Sequence, residues 1–489
     1  MNNVKILKGI NPNLLLWCFG IFWLVCLFIS ISNENISLLV LPILFLTAYF
    51  IIYDLRSAFY LCLLILPVTI PFLTHEGHNI DIPTEPLVVV LMLATILKLA
   101  NDANESNYLF KNSLIALLAF HVLWIFISSL NSTFYIVSFK YLISKCWHIS
   151  TFTILAIIVI KTFQHIKKLF WILFIPSFLL VAYVLINHAT YRFHFSDANR
   201  AVYPFFLNHY NYGAYLAAFF PFVCVATTWY QKHSIRKNFL ILAALIFLFA
   251  IIFSYTRSSW LSLIIALLCW GLVQLRLFKL IMSMSVIGVL CIIIFMSSKN
   301  RFMDYTPDFY KTIYFKDDIS KHLQASVKFR DISGVERIYR WLAAGKMGIE
   351  KPLTGFGPGT FYNNYSQYTV SLFRTYVSNN PERSSAHNYF LLILSEQGFI
   401  GLAIFLLLLT GFIGKALKIY YHTENNKIKN LILAVFLSQI IIITHLCLAD
   451  LLEEIKIGAF FLLNFAYIVI LERIDGEERV RPAIFQPIL

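Results

Sequence analysis

The sequence predicts an all-α, polytopic integral membrane protein with about 12–14 transmembrane helices and one long loop on the outer side. Three observations predict it. The chain is 59% hydrophobic and 13% charged over 489 residues, with mean hydropathy +0.74, about half the charge share of soluble domains. Apolar runs such as Leu14–Ile31 and Asn238–Phe253 are long enough to cross hydrocarbon. Lipid supplies no partners for bare backbone, and the runs lack the short alternation of a membrane barrel, so they are helices.

Taken in order, the expected spans are 13–32, 36–53, 57–73, 85–100, 112–130, 134–160, 167–187, 204–230, 238–254, 258–275, 278–296, 398–415, 430–449 and 455–471. The first run has no small-residue cleavage site and is followed by many others, so it reads as a permanent span. With the N-terminus inside, inner segments hold 20 Lys and Arg and short outer loops hold 6. That asymmetry sets the orientation. It divides the chain into helices over 1–296, a long outer loop over 297–386, and helices with a short inner tail over 387–489. A net charge of +14 scattered between apolar runs marks topology and not a nucleic-acid surface. Seven of the eight cysteines lie within apolar stretches, which argues against a disulfide framework.

The long loop carries 13 Lys and Arg against 8 Asp and Glu, interleaved with Tyr, Phe and Trp341, a composition for packed structure. Gly334–Met347 reads as a helix, and Pro352-Leu-Thr-Gly-Phe-Gly357-Pro-Gly359 must turn, bringing backbone N–H groups within reach of a ligand. Next, Ser384-Ser385-Ala386-His387-Asn388 leads into an apolar helix, with Ser384 or Ser385 as a cap and His387 at the outer membrane boundary. A lone interfacial histidine is usually a polar anchor, yet histidine is also suited to proton transfer near neutral pH. Arg257, in a short turn on the same side, either snorkels or grips a phosphate bidentately, and Arg200 raises the same alternatives. Together these are the equipment for moving a group off an anionic, lipid-bound leaving group.

Weaker signals point elsewhere. His75-Glu76-Gly77-His78 lacks a metal-binding helix pattern, and Asp317-Asp318 and Glu453-Glu454 read as solvated charge. Within the spans acids are nearly confined to Asp54, Glu396 and Asp450 near the ends, which argues against an ion or proton transporter.

Five motifs occur in the order of one family: Asn208-His-Tyr-Asn211-Tyr-Gly-Ala-Tyr-Leu, Thr256-Arg257-Ser-Ser-Trp-Leu, Arg337-Ile-Tyr-Arg340-Trp341, Pro352-Leu-Thr-Gly-Phe-Gly357-Pro-Gly-Thr-Phe361 and His387-Asn-Tyr-Phe-Leu-Leu-Ile-Leu-Ser-Glu396-Gln-Gly398. Over roughly residues 195–420 the chain resembles the O-antigen ligase and O-antigen polymerase superfamily of bacterial envelope glycan transferases. The 14 apparent spans depart from the usual 12 or so. The resemblance implies inverting, metal-independent transfer with no cofactor, His387 as general base, and Arg257 and Arg337 as clamps on an undecaprenyl diphosphate. Arg340 and Arg200 take the same role less directly, and Asn211 and Gly357 are further substrate contacts. The implied partners are an undecaprenyl-diphosphate-linked glycan donor, a lipid A-core acceptor and membrane lipids, with no nucleic acid. The implied location is the bacterial inner membrane, multi-pass, with the site facing the periplasm. Polymerisation of lipid-linked repeats and transfer to protein hydroxyls use the same donor chemistry. A non-enzymatic flippase of lipid-linked sugars would need a similar basic cavity.

Overall fold

The computed structural model describes residues 54–73, 79–298, 332–370, 378 and 385–484. The expected spans 13–32 and 36–53, His75–His78, Asp317-Asp318 and Ser384 lie outside them, as does most of the outer loop before residue 332. In chain order the elements are α1 (Leu55–Ile65), β1 (Ile70–Leu73), β2 (Asn79–Ile82), α2 (Thr84–Asn101), α3 (Ala103–Lys111), α4 (Ser113–Leu130) and α5 (Tyr135–Val159). These are followed by α6 (Phe163–Thr190), α7 (Ala198–Val202), α8 (His209–Ala226), α9 (Ile235–Phe253), α10 (Arg257–Gln274) and α11 (Phe278–Ser297). The chain then forms α12 (Ile332–Glu350), α13 (Phe361–Asn364), α14 (Tyr389–His422), α15 (Asn426–Leu446) and α16 (Ile455–Ile484).

Among the described residues ten helices are long and apolar enough to cross a membrane, and two shorter apolar ones cover Leu55–Val68 and Phe278–Ile292. Each of the twelve expected spans that falls on described residues corresponds to one of these. The chain is an all-α multi-pass membrane protein. Several boundaries differ: the expected span 398–415 is helical over Tyr389–His422, 455–471 is helical over Ile455–Ile484, and 57–73 stops as a helix by Val68, because Pro67 and Pro71 remove backbone donors. Ile70–Leu73 instead pairs antiparallel with Asn79–Ile82 as a hairpin.

α16 lies at the centre, with nearly every residue of its crossing stretch buried, flanked by α15 and α8. A small residue lets α8 approach the turn before α10: a Cβ on Gly213 would stand 2.6 Å from the Thr256 hydroxyl. Asn464 of α16 donates to Gln439 (2.9 Å) and Ser438 (3.2 Å) of α15, satisfying polar groups where lipid would not. α11, by contrast, meets the bundle mainly at its start, where Phe278 packs edge-on against Phe436 of α15 at 5.0 Å, and presents Leu280, Ile287 and Ile294 outward, as a lipid-facing helix does.

α14 is two helical arms. Gly398 breaks it with φ 73° and ψ −174°, a conformation closed to other residues. In a straight helix residues 389 and 405 would be about 24 Å apart, yet the Tyr389 and Phe405 rings lie 5.3 Å centroid to centroid. The arm from Tyr389 to Gln397 therefore folds back toward the crossing arm. Phe405 also meets His121, halfway along α4, at 5.7 Å.

The loop after α12 fills the break. Phe356 N–H donates to Ser395 O (3.0 Å), Gly357 N–H to Glu396 O (2.8 Å), and Phe399 N–H to Pro352 O (2.7 Å). Both Glu396 carboxylate oxygens accept backbone N–H groups, from Gly359 (2.8 Å) and Phe361 (2.9 Å). From α4, Ser128 Oγ contacts Thr354 O and Glu396 O, and Trp124 Nε1 donates to Gln397 O. Backbone approaches backbone so closely that a Cβ on Gly398 would lie 2.2 Å from Leu353 O, and one on Gly355 2.3 Å from Glu396 C.

Candidate functional site

α12 delivers the first charged groups. Spacing of i, i+4 puts Glu336 beside Arg340 (3.6 Å), and both are buried. The Ser378 hydroxyl donates to the other Glu336 oxygen. Arg340 also donates to Ser385 O at 3.3 Å. A buried guanidinium needs such partners, and here they tie it to the strand of chain that ends in His387.

That strand is held from both sides. The Ser385 hydroxyl donates to Asp450, in the turn between α15 and α16. Asn388 Nδ2 donates to Cys447 O (3.0 Å), and Asn388 Oδ1 caps α14 by accepting from Leu391 N–H (3.1 Å). The expected serine cap is therefore Asn388, whose short amide fits the N-cap geometry, and Ser385 is occupied with Asp450. Between these anchors His387 sits at φ 52°, in the left-handed region. For a residue with a Cβ this is strained by roughly 1–2 kcal/mol, a cost that persists only where neighbours over-determine it.

The imidazole is largely enclosed. Burial, then the Arg340 and Arg337 guanidiniums, push its pKa down to about 3. It is neutral at pH 7, with a lone pair to offer. Asp450 is raised above its ordinary value, chiefly by burial. Its Oδ1 is buried with no hydrogen bond among the described residues.

A second set of groups comes from the ends of α8 and α10. Thr256 Oγ1 donates to His209 O (3.0 Å) and so does not cap α10. Arg257 is the first residue of α10 and its side chain is exposed. Ser258 and Tyr210 face one another, and Arg337 and Asp450 lie alongside Tyr210. Tyr210 also meets His445 edge-on at 5.9 Å, and His445 is bonded to Ser259 (3.1 Å).

The structure thus brings Arg337, Arg340 and His387 together and sets the Arg257 end of α10 against the same pocket through Tyr210. It does not bring in Arg200. That side chain is exposed on α7 and pairs with Asp197 three residues earlier, at 3.1 Å. Asn211 is buried in the first turn of α8, with its amide on the Glu454 carboxyl; burial first of all raises that acid to about 7. Gly357 serves the α14 break: its N–H is on Glu396 O, and a Cβ there would lie 2.0 Å from Ser132 Oγ. The N–H groups of this turn that were expected to face a ligand face Glu396.

Sequence reasoning missed Asp450, Tyr210, Ser258 and Ser385 as site residues. Tyr210 and Ser258 stood inside quoted motifs, one position from the residues singled out. Asp450 was visible as an acid at a span end. Among the described residues no three His, Cys, Asp or Glu side chains converge as metal ligands.

No curated protein matches this chain. Residues 242–406 match the family model described as O-antigen ligase. Arg257, Arg337, Arg340, Gly357 and His387 lie inside that segment, whereas Arg200 and Asn211 precede it. That segment carries His387, Arg337 and Arg340, and over it the chain is similar to the O-antigen ligase family, which points to a membrane glycosyltransferase.

Proposed function

We propose that the protein transfers a glycan from undecaprenyl diphosphate to a hydroxyl of lipid A-core, on the periplasmic side of the bacterial inner membrane. The observation that carries this reading is His387: neutral, strained, largely buried and within the field of two guanidiniums. A general base must be unprotonated, and a diphosphate leaving group must be met by positive charge. The same pocket supplies both. The excess of Lys and Arg on the opposite side supports the outward orientation.

In the proposed step the acceptor oxygen attacks the anomeric carbon from the face opposite the diphosphate. The new C–O bond forms as the bond to the phosphate oxygen breaks, which inverts the centre. The acceptor proton passes to the His387 ring, and undecaprenyl diphosphate leaves with its growing charge offset by Arg337 and Arg257. Arg340 positions the histidine through Ser385, and Asp450 steadies the same segment. Donor binding neutralises the guanidiniums, which raises the histidine toward a useful basicity once substrate is present. The three-part division at 296 and 386 is part of this reading: the loop contributes α12, and its exit contributes the base.

The test is transfer by purified protein from a lipid-linked glycan to lipid A-core, to a second lipid-linked repeat, or to a protein acceptor. Glycan on lipid A-core that disappears in His387→Ala supports the ligase reading. Chain growth on the lipid carrier alone identifies a polymerase, and product on protein alone identifies a protein glycosyltransferase. Full transfer by His387→Ala would overturn the mechanism. Translocation of the lipid-linked glycan by vesicles holding His387→Ala would replace the enzyme with a flippase.

A further inference from the structure

In the proposed step arginines meet the leaving diphosphate and His387 takes the proton, which leaves the acceptor itself without a seat. Inversion places that seat on the side of the anomeric carbon away from the diphosphate. The turn between α15 and α16 runs beside the histidine and carries carboxylates. Its Asp450 takes the Ser385 hydroxyl, two residues before His387. Its Glu453 accepts from Tyr141 of α5 (3.1 Å), whose hydroxyl meets that of Tyr389, two residues after His387, at 3.4 Å. The same Glu453 oxygen pairs with Lys145 (3.0 Å), which also donates to Leu452 O (3.4 Å). Two acceptor atoms are left over. Glu453 Oε2 has no hydrogen bond among the described residues, on a side chain 40% exposed, and Asp450 Oδ1 is buried with none. Lys145, Tyr389 and Leu452 also line a narrow cavity inside the bundle, together with His121 and His148. His121 is 7% exposed with Nδ1 unbonded, and His148 Nε2 is unbonded as well. Buried polar atoms are nearly always bonded, so spare hydrogen-bonding capacity runs from the exposed rim at Glu453 into this cavity.

We propose that Glu453 and Asp450, braced by Lys145 and Tyr141, form the acceptor subsite and accept hydrogen bonds from hydroxyls of a neutral sugar, so that a neighbouring hydroxyl meets His387. This deepens the transferase reading and rests on it. An ionised carboxylate only accepts. It therefore suits a ligand that donates, and it repels an anion such as the diphosphate, whose place is among the arginines. The carboxylates make and break no covalent bond. A sugar, with hydroxyls on adjacent carbons, fills both free oxygens and still presents a third group to the base. A serine or threonine side chain has a single hydroxyl and does not. The subsite thus fits the glycan end of lipid A-core or of a lipid-linked repeat, and not a protein acceptor.

The full-length protein in phosphatidylcholine nanodiscs tests this with a lipid-linked glycan donor and, as acceptors, lipid A-core, a lipid-linked repeat and a serine-bearing peptide. Glu453→Ala is expected to raise the KM of the sugar acceptor at least roughly tenfold while the donor KM stays within about twofold. Glu453→Gln, which keeps one carbonyl oxygen, recovers part of the loss. Acceptors lacking the bonded hydroxyl lose affinity in the parent and lose less in Glu453→Ala, a coupling that a purely structural residue does not show. An unchanged acceptor KM overturns the proposal. So does a joint rise of donor and acceptor KM with a lowered melting midpoint in both variants, or transfer to the peptide alone. Acceptor binding measured without donor separates this subsite from the mechanism. If Glu453→Ala loses binding while His387→Ala binds and still transfers, the histidine base fails and the subsite stands. If Glu453→Ala binds normally while His387→Ala loses transfer, the subsite fails and the transferase stands.

Discussion

The break in α14 and the pocket around His387 lie at opposite ends of the same nine-residue arm, and they treat polar groups in opposite ways. At the break, backbone groups are matched: Ser395 O, Glu396 O and Phe399 N–H each meet a loop partner, and both Glu396 carboxylate oxygens accept N–H groups. In the pocket, the Tyr210 and Ser258 hydroxyls have only each other, and Asp450 Oδ1 is buried without a partner among the described residues. Unsatisfied buried polar groups are costly and concentrate where a ligand completes them. One end of the arm is built for rigidity, and the other is held ready.

The comparison is broken most severely at the rigid end. Gly398→Ala places a methyl group 2.2 Å from Leu353 O in a left-handed conformation, so we expect a loss of about 3 kcal/mol or more, read as loss of folded protein in thermal melts. At the other end, His387→Ala leaves the melt unchanged and lowers transfer by about 10²–10⁴-fold. A matching fall in melting temperature would move the histidine from chemistry to structure. Asp450→Ala, which frees Ser385, should lower transfer by about tenfold, with Asp450→Asn recovering part of it; equal loss in both would assign the carboxylate a direct role.

The pH profile sharpens the comparison further. With the pKa of His387 near 3, the acid limb of kcat/KM from this group lies well below its ordinary 6.5. Arg337→Gln removes a positive neighbour and moves the limb upward; a downward or absent shift breaks the electrostatic account. The linked stability has a definite sign. Because the folded value is depressed, the contribution is complete above 6.5 and is lost as pH falls toward 3. Smallest of all, Arg200→Ala should alter transfer by less than about twofold, since an exposed ion pair on its own turn contributes little.

The membrane architecture was legible because hydrocarbon thickness imposes run length directly, and each described span follows from it. The helix over 334–347 and the turn at 352–359 were legible from periodicity and from Gly and Pro. The fold-back at Gly398 was not. A single glycine in an apolar run is compatible with a straight helix, and what bends this one is a loop some 40 residues earlier. Nor does motif order reveal which cation is already engaged: Arg340 finds Glu336 and Ser385 O, and Arg200 finds Asp197. Gly357 illustrates the same limit, as its conformational freedom serves close approach to Ser132 and Glu396.

The interlock at Gly398 also bears on how the chain is assembled. A helix interrupted in an apolar environment exposes backbone groups that lipid cannot satisfy, and here the loop at 352–361 satisfies them. That loop precedes α14 in the sequence, so during synthesis its donors and acceptors have already emerged when the interrupted helix follows. The order of the segments supplies a template before the segment that requires it. Hydrogen exchange at Phe399 and Gly357 should accordingly protect both amides together, and a loop variant that exposes one should expose the other.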